Sequence, residues 1–306
     1  MIPTYNCAEF LKTCIKSVLN NDFSDYNIQI EVVDNGSSDD PETVVKMFGR
    51  NKVCFFKHPQ NIGPIPNFNV CINRAQADLI HILHGDDFVL PGFYSEILKY
   101  RKTYPDAGVY FTRFFYLKND KLTPSDEEQP QSGIYINQVE KLFSQNKIQF
   151  VNTVINKKVF EELGPFETEY KFCPDWVMWR KIAVSYKCIY INKPLASYRI
   201  HENSDTQNQL ENFGRNIGEL RKSIIACDRY LQTNEKYITD KALKNCKEFI
   251  KQVYIFPLLE KSKYKPARTI IFEYFKFSLN ASEFFFALKS LTKTYIYHLS
   301  GFKRKI

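Results

Sequence analysis

The stretch Leu79-Ile80-His81-Ile82-Leu83-His84-Gly85-Asp86-Asp87 decides how the fold is read. Leu and Ile dominate its first half, as in a strand buried on both faces. It then runs into a glycine and two adjacent carboxylates. In a mostly parallel α/β sheet, ligands gather beyond the carboxyl ends of the strands. Two acids placed there can hold a hard divalent cation, which shares its oxygen ligands with phosphates. The alternative is turn chemistry, an acidic pair opening the loop at Pro91-Gly92. An isolated Asp-Asp does not choose between the two.

Three upstream segments have the same form. Residues 28–33 read as a strand that ends in Asp34-Asn35-Gly36-Ser37-Ser38-Asp39, after which Pro41 opens a helix at a position where its missing N–H is harmless. Residues 53–56 form a third strand, followed by Asn61-Ile62-Gly63-Pro64 and a helix through Asn67, Asn69 and Ile72. The chain opens at Met1-Ile2-Pro3-Thr4-Tyr5-Asn6, which reads as the end of a strand. Core strands usually run about four to eight residues, so residues upstream of Met1 are expected. A helix over 8–20 follows, with Phe10, Leu11, Cys14, Ile15, Val18 and Leu19 on one stripe. Strands alternating with helices at this spacing predict an α/β fold with a doubly wound, mostly parallel sheet.

Downstream, the pattern predicts a helix from Pro91 to Tyr104, a strand over 107–117 and a mobile polar loop over 119–132. Then come a strand at 151–155, helices at 158–163 and 175–185, and strands at 188–191 and 195–199. From residue 207 the strand signals stop, and helical patterns occupy 208–233, 238–261, 266–279 and 282–297. The expected division is an α/β domain over 1–205 and a helical region over 206–306.

The net charge of +8 is unevenly placed. Residues 241–306 hold 14 of the 42 Lys and Arg but 4 of the 34 Asp and Glu, so that segment carries +10 and the remainder −2. Phe and Tyr interleave with these bases, as in Ile270–Phe277 and Phe284-Phe285-Phe286. No run of about 18 apolar residues is present. A basic, aromatic, helical stretch of this kind suits an anionic membrane surface, or packs on the α/β domain with its basic face in solvent. No motif points to nucleic acid. The eight cysteines are scattered without a Cys-x-x-Cys pair, and no signal peptide is evident; both fit a reducing cytoplasm and argue against structural zinc.

The ordered set Pro3-Thr4-Tyr5-Asn6, Asp34–Asp39, Asn61-Ile62-Gly63 and His84-Gly85-Asp86-Asp87 resembles an inverting family 2 glycosyltransferase of the GT-A fold, the bacterial polysaccharide and O-antigen type. The likeness covers about residues 1–205. It implies a nucleotide-diphosphate sugar donor, of uridine type, and a saccharide or polyprenyl-linked acceptor. It also implies a divalent metal, Mn²⁺ or Mg²⁺; with the basic tail and the cysteine usage, the expected location is peripheral on the cytoplasmic face of a membrane. By the same likeness Pro3, Thr4, Tyr5 and Asp34 take the base, with Asn61, Asn67 and His84 also on the donor. Asp86, with Asp87, binds the metal. Phe172-Cys173-Pro174-Asp175-Trp176 offers Asp175 as the catalytic base, the alternative being an Asp that caps its helix. Arg199 and His201 match an Arg-x-His segment that places Arg199 at phosphate and His201 at metal or phosphate.

Three positions depart from the family pattern. His84 replaces the first acid of the DxD motif, Asn35 replaces a second Asp, and Asn67-Phe68-Asn69 stands where many members carry Ala-Arg-Asn. These changes keep open a second reading, a nucleotide-sugar-binding partner without transferase activity.

Overall fold

The computed structural model describes residues 1–201 and 213–250. They form two compact units, Met1–Val139 with Asn146–His201, and Glu140–Gln145 with the described residues beyond His201.

The first unit opens with β1 (Ile2–Thr4), α1 (Ala8–Leu19), β2 (Ile30–Asp34), α2 (Pro41–Phe48), β3 (Val53–Lys57) and α3 (Pro64–Arg74). The three strands pair in parallel, with Ile2 opposite Val32 and Ile30 opposite Val53. Next come β4 (Leu79–His81), β5 (Phe88–Val89), α4 (Phe93–Thr103), β6 (Val109–Lys118), β7 (Lys121–Pro124), β8 (Gly133–Ile134), α5 (Gln138–Ser144), β9 (Thr153–Asn156), α6 (Lys157–Leu163), α7 (Pro174–Ser185) and β10 (Cys188–Arg199).

A second sheet runs β4-β9-β6-β10-β5, with β7 beside β6 and β8 beside β10. The segment after β4 stitches the two sheets together. Met1 N donates to His81 O at 2.9 Å, Leu83 N to Met1 O at 3.0 Å and Gly85 N to Pro3 O at 3.0 Å. Pro3 has no N–H to continue that ladder. The apolar run 79–83 therefore lies in the middle of the combined sheet. Ile80, Ile82 and Leu83 are buried, and Leu83 joins a core with Leu11, Ile15, Val32 and Phe93.

The α/β architecture with a parallel-rich sheet is present as expected, and three local expectations change. Residue 153–156 pairing is antiparallel to both β4 and β6, so the second sheet is mixed. The expected loop over 119–132 instead contains a hairpin. Asn119 and Asp120 take left-handed φ values of 49° and 58°, and β7 folds back on β6. Two left-handed residues are what a two-residue hairpin turn requires. The strands expected at 188–191 and 195–199 are one strand, β10, whose register against β6 shifts around Pro194. Proline cannot donate to the ladder, so a bulge absorbs it.

In the second unit α8 (Phe213–Cys227) and α9 (Tyr237–Ile250) follow the predicted helical pattern. Leu220, Ile224, Cys227, Leu231, Ile238, Ala242 and Cys246 are buried. The helices expected at 266–279 and 282–297, with the aromatic runs inside them, lie outside the described residues.

Candidate active site

Strand ends converge on one edge of the first unit, beginning with the Asp34 turn. Asp34 is fully buried. Its Oδ1 accepts from Ser37 N at 3.0 Å and from the Ser37 hydroxyl. Its Oδ2 lies 3.7 Å from Lys57 Nζ and has no hydrogen-bond partner among the described residues. A buried carboxylate oxygen without a donor is costly, and a bound N–H would relieve that cost.

The turn is braced from both sides. Asn6 Oδ1 accepts from Ser38 N at 2.9 Å, and Asp39 Oδ2 accepts from Ala8 N at 2.8 Å, satisfying an amide that Cys7 leaves open at the start of α1. Gly36 sits at φ +75°, and a Cβ there would meet Gln60 C at 2.7 Å and Asn61 N at 2.9 Å. Both contacts are backbone and cannot swing away. Gly36→Ala is expected to destabilise the protein by about 2–5 kcal/mol, from left-handed strain plus overpacking. The midpoint of a urea titration reads this directly; an unchanged midpoint would refute the packing argument.

Several expected donor residues turn out to serve the fold. Asn61 Oδ1 accepts from Asn35 Nδ2 at 3.0 Å and from Gly63 N at 2.7 Å, while Asn35 Oδ1 accepts from Ile62 N. The Asp-to-Asn change at 35 thus supplies a donor and an acceptor that lock one loop to the next. Asn67 is 2% exposed, with Nδ2 donating to Val33 O and Oδ1 on His58 Nε2. Both ends of its amide are engaged beneath the Asp34 strand. Pro3 and Thr4 are buried, the Thr4 hydroxyl meeting Cys7 Sγ at 2.9 Å. Tyr5, by contrast, is 48% exposed at the mouth of the same edge.

The DxD segment is held from the far end of β10. Arg199 N donates to Asp87 Oδ1 at 2.8 Å, and Arg199 Nε to Asp86 O at 2.9 Å. The guanidinium lies 4.6 Å over the Phe10 ring. His201 Nε2 meets Asp86 Oδ2 at 3.0 Å. Arg199 therefore clamps the acidic loop, and His201 reaches the acid. Gly85 is small of necessity, since a Cβ would sit 2.9 Å from Thr4 Oγ1 and 3.0 Å from Cys7 Sγ.

His84 lies flat on Phe68, with centroids 5.0 Å apart and planes at 15°, and tilts against Phe150 at 4.9 Å. Two departures from the family pattern, at 68 and 84, thus form one aromatic stack. Burial lowers the His84 pKa, favouring the neutral ring. Its Nε2 is buried and has no partner among the described residues.

Burial, then the neighbouring Asp86 charge, pushes Asp87 well above the usual carboxylate range. Burial also disfavours an ionised Asp86, but the His201 hydrogen bond and the nearby His84 outweigh it and hold Asp86 low. His84, Asp86 and Asp87 each offer a ligand atom, all within 4.8 Å of one another. Carboxylate oxygens with adjacent imidazoles fit a divalent cation such as Mn²⁺ or Mg²⁺.

The third component is Asp175, in the first turn of α7 behind Pro174. Cys173, at the cap position, makes no side-chain cap bond, and the Asp175 carboxylate instead accepts from Asn146 Nδ2 at 2.9 Å. Burial raises its pKa to about 6, against the pull of Asn146, the first-turn amides and Arg180. A carboxylate that titrates near neutrality is suited to general-base work.

Residues 1–164 match the family described as Glycosyl transferase family 2. The chain belongs to that family. Among its relatives is an uncharacterized glycosyltransferase of Rickettsia typhi, 24% identical over 221 residues, covering 70% of this chain and 68% of the relative. The GalNAc(5)-diNAcBac-PP-undecaprenol beta-1,3-glucosyltransferase of Campylobacter jejuni is 33% identical over 103 residues, about a third of each chain. Among solved structures, S. aureus TarS 1–349 in complex with UDP-GlcNAc superposes with a TM-score of 0.68 at 14% identity, covering 99% of this chain and 92% of that one. A Pyrobaculum calidifontis mannosyltransferase in complex with GDP-Man and Mn²⁺ gives a TM-score of 0.57 at 14% identity, over 99% and 86% of the two chains. The family 2 strand-end motifs are thus gathered on one edge here, while Lys57, Phe68, Phe150 and Asn146 are site features the motifs did not mark. Lys57 stands at a strand end and was findable on that ground; Asn146 belongs to no recognisable pattern.

Proposed function

We propose that this chain is an inverting, metal-dependent glycosyltransferase. It transfers a sugar from a nucleotide-diphosphate donor, with uridine as the nucleoside, to a hydroxyl of a saccharide or lipid-linked saccharide in cell-surface polysaccharide synthesis. The observation that carries this reading is the Asp86–His201 contact at 3.0 Å, which unites two motifs 115 residues apart beside the buried Asp87. Asp34 Oδ2, ion-paired with Lys57 but without a hydrogen-bond donor among the described residues, supports an imide base, whose N–H is a donor, over cytosine, whose corresponding nitrogen is an acceptor.

In this reading Asp34 and Tyr5 orient the base, Arg199 keeps the acidic loop closed, and Asp86 with His201, Asp87 and His84 would hold the cation. When bound, the cation neutralises charge developing on the diphosphate leaving group. Asp175 removes the proton from the acceptor hydroxyl. The acceptor oxygen forms its bond to the anomeric carbon as the carbon–oxygen bond to the diphosphate breaks on the opposite face, its electron pair leaving with the nucleotide. Configuration inverts, and the proton ends on Asp175.

Among the described residues no helix is long and apolar enough to cross a membrane. Peripheral attachment at an anionic leaflet on the cytoplasmic side is part of the same proposal. It is supported by the +10 charge of residues 241–306 and by eight cysteines that form no disulfide, seven of them buried.

Calorimetric titration of UDP, GDP, dTDP and CDP, each with and without Mn²⁺, tests the reading. Mn²⁺-dependent binding of UDP but not CDP is the expected result. Binding of GDP alone would overturn the uridine assignment, and binding of none would favour a protein without transferase activity.

A further inference from the structure

The loop that follows α5 carries an asparagine whose two amide ends point to different tasks. Asn146 Oδ1 accepts from Ile148 N at 3.3 Å, closing a local turn. That bond settles the orientation of the amide, because the oxygen must face Ile148, so the NH₂ group must face outward. It donates to Asp175 Oδ2 at 2.9 Å.

The loop itself is well anchored. Lys147 Nζ lies 3.1 Å from Glu128 Oε1, and Gln149 N donates to Asn152 Oδ1 at 2.9 Å. The Asn152 side chain in turn donates to Thr112 O in β6, and the Thr153 hydroxyl to Gln149 O at 2.6 Å. Asn146 is therefore a donor on a rigid mount rather than a side chain free to drift.

We propose that Asn146 is a positioning residue for Asp175: its NH₂ group fixes one carboxylate oxygen and stabilises the ionised form, leaving lone pairs for the acceptor hydroxyl. The inference rests on the reading of Asp175 as the base.

Other charges near Asp175 have defined roles. Arg180, on the same helix, lowers its pKa, and its guanidinium lies 5.7 Å from the Trp176 ring. Lys181 pairs with Glu167, and Lys147, from the facing loop, pairs with Glu128. Burial alone would raise the carboxyl; the Asn146 hydrogen bond is the largest influence acting against it. A hydrogen bond to the charged form is one of the three ways in which a protein moves a pKa.

Asn146→Asp is the discriminating variant. Aspartate retains an oxygen to accept from Ile148 N, so the turn persists, but it removes the donor and sets a like charge beside Asp175. The pH profile of kcat/KM, and a ¹³C-carboxyl NMR titration with the Asp175 signal assigned by its loss in Asp175→Asn, are the two readouts. The acid limb and the NMR titration of Asp175 are both expected to move up by about one pH unit or more, with kcat/KM down about threefold or more at pH 6.5 and UDP affinity unchanged. Asn146→Ala should move both in the same direction by less. A wild-type limb and a wild-type Asp175 titration in Asn146→Asp would overturn the proposal. If the NMR titration moves but the activity limb does not, the hydrogen bond stands and the assignment of Asp175 as base falls.

Discussion

Asp175→Asn is expected to lower kcat by about a thousandfold, within the range general-base catalysis contributes. The variant is nearly isosteric and leaves UDP affinity within about twofold, because it removes a proton acceptor rather than a donor-binding contact. Wild-type activity should rise with pH through about 6, where the Asp175 carboxyl loses its proton, and level off above it. The sign follows from the role: a base works only when deprotonated, so activity falls below the pKa, by about tenfold for each unit. Helix capping predicts a different outcome. Asn caps a helix as well as Asp does, so a capping residue would tolerate the change with full turnover. Steady-state kinetics over pH 5–8 with the purified variant separates the two, and near-normal turnover would remove Asp175 from the mechanism.

Asp86→Ala carries the second large effect. Removing this carboxylate should weaken Mn²⁺-dependent UDP binding by about 100-fold or more, since loss even of outer-shell support costs metal sites 10–100-fold. The loop itself should survive, because its clamp does not use the Asp86 side chain. Arg199 Nε donates to the backbone carbonyl of residue 86, and Arg199 N to Asp87. His201 loses its acceptor and keeps its packing on Phe10 at 4.9 Å. Calorimetry of UDP with and without Mn²⁺ should therefore show the metal dependence vanish while the metal-independent component persists. Metal dependence intact in Asp86→Ala would move the cation elsewhere.

Much of the site was legible because its parts lie at strand ends, and strand ends announce themselves by a change from apolar to polar residues. Asp34 and Asp86 each mark such a change, while Asp175 is marked by Pro174 at the start of a helix. Register and direction were less legible. The run at 153–156 is short and apolar, and nothing local says whether it pairs parallel or antiparallel. Asn119-Asp120 did carry a hairpin signal, two residues that tolerate left-handed backbone between segments able to pair; the surrounding polar stretch masked it. Asn67 shows the opposite limit. Its position in the chain suited a ligand contact, but side-chain direction put both amide ends onto His58 and Val33.

Local sequence was enough to recognise the family, the order of strand-end clusters, the buried strand at 79–83 and the acid at the start of a helix. Local periodicity and turn chemistry carry that information, because they depend on neighbours a few residues away. Tertiary contacts settle which polar side chains brace the loops and which carboxylates come together. The contacts Asp86–His201, Asn35–Asn61 and Asn146–Asp175 span 115, 26 and 29 residues. Each depends on which strands become neighbours, and strand order is a property of the whole packed sheet rather than of any one segment.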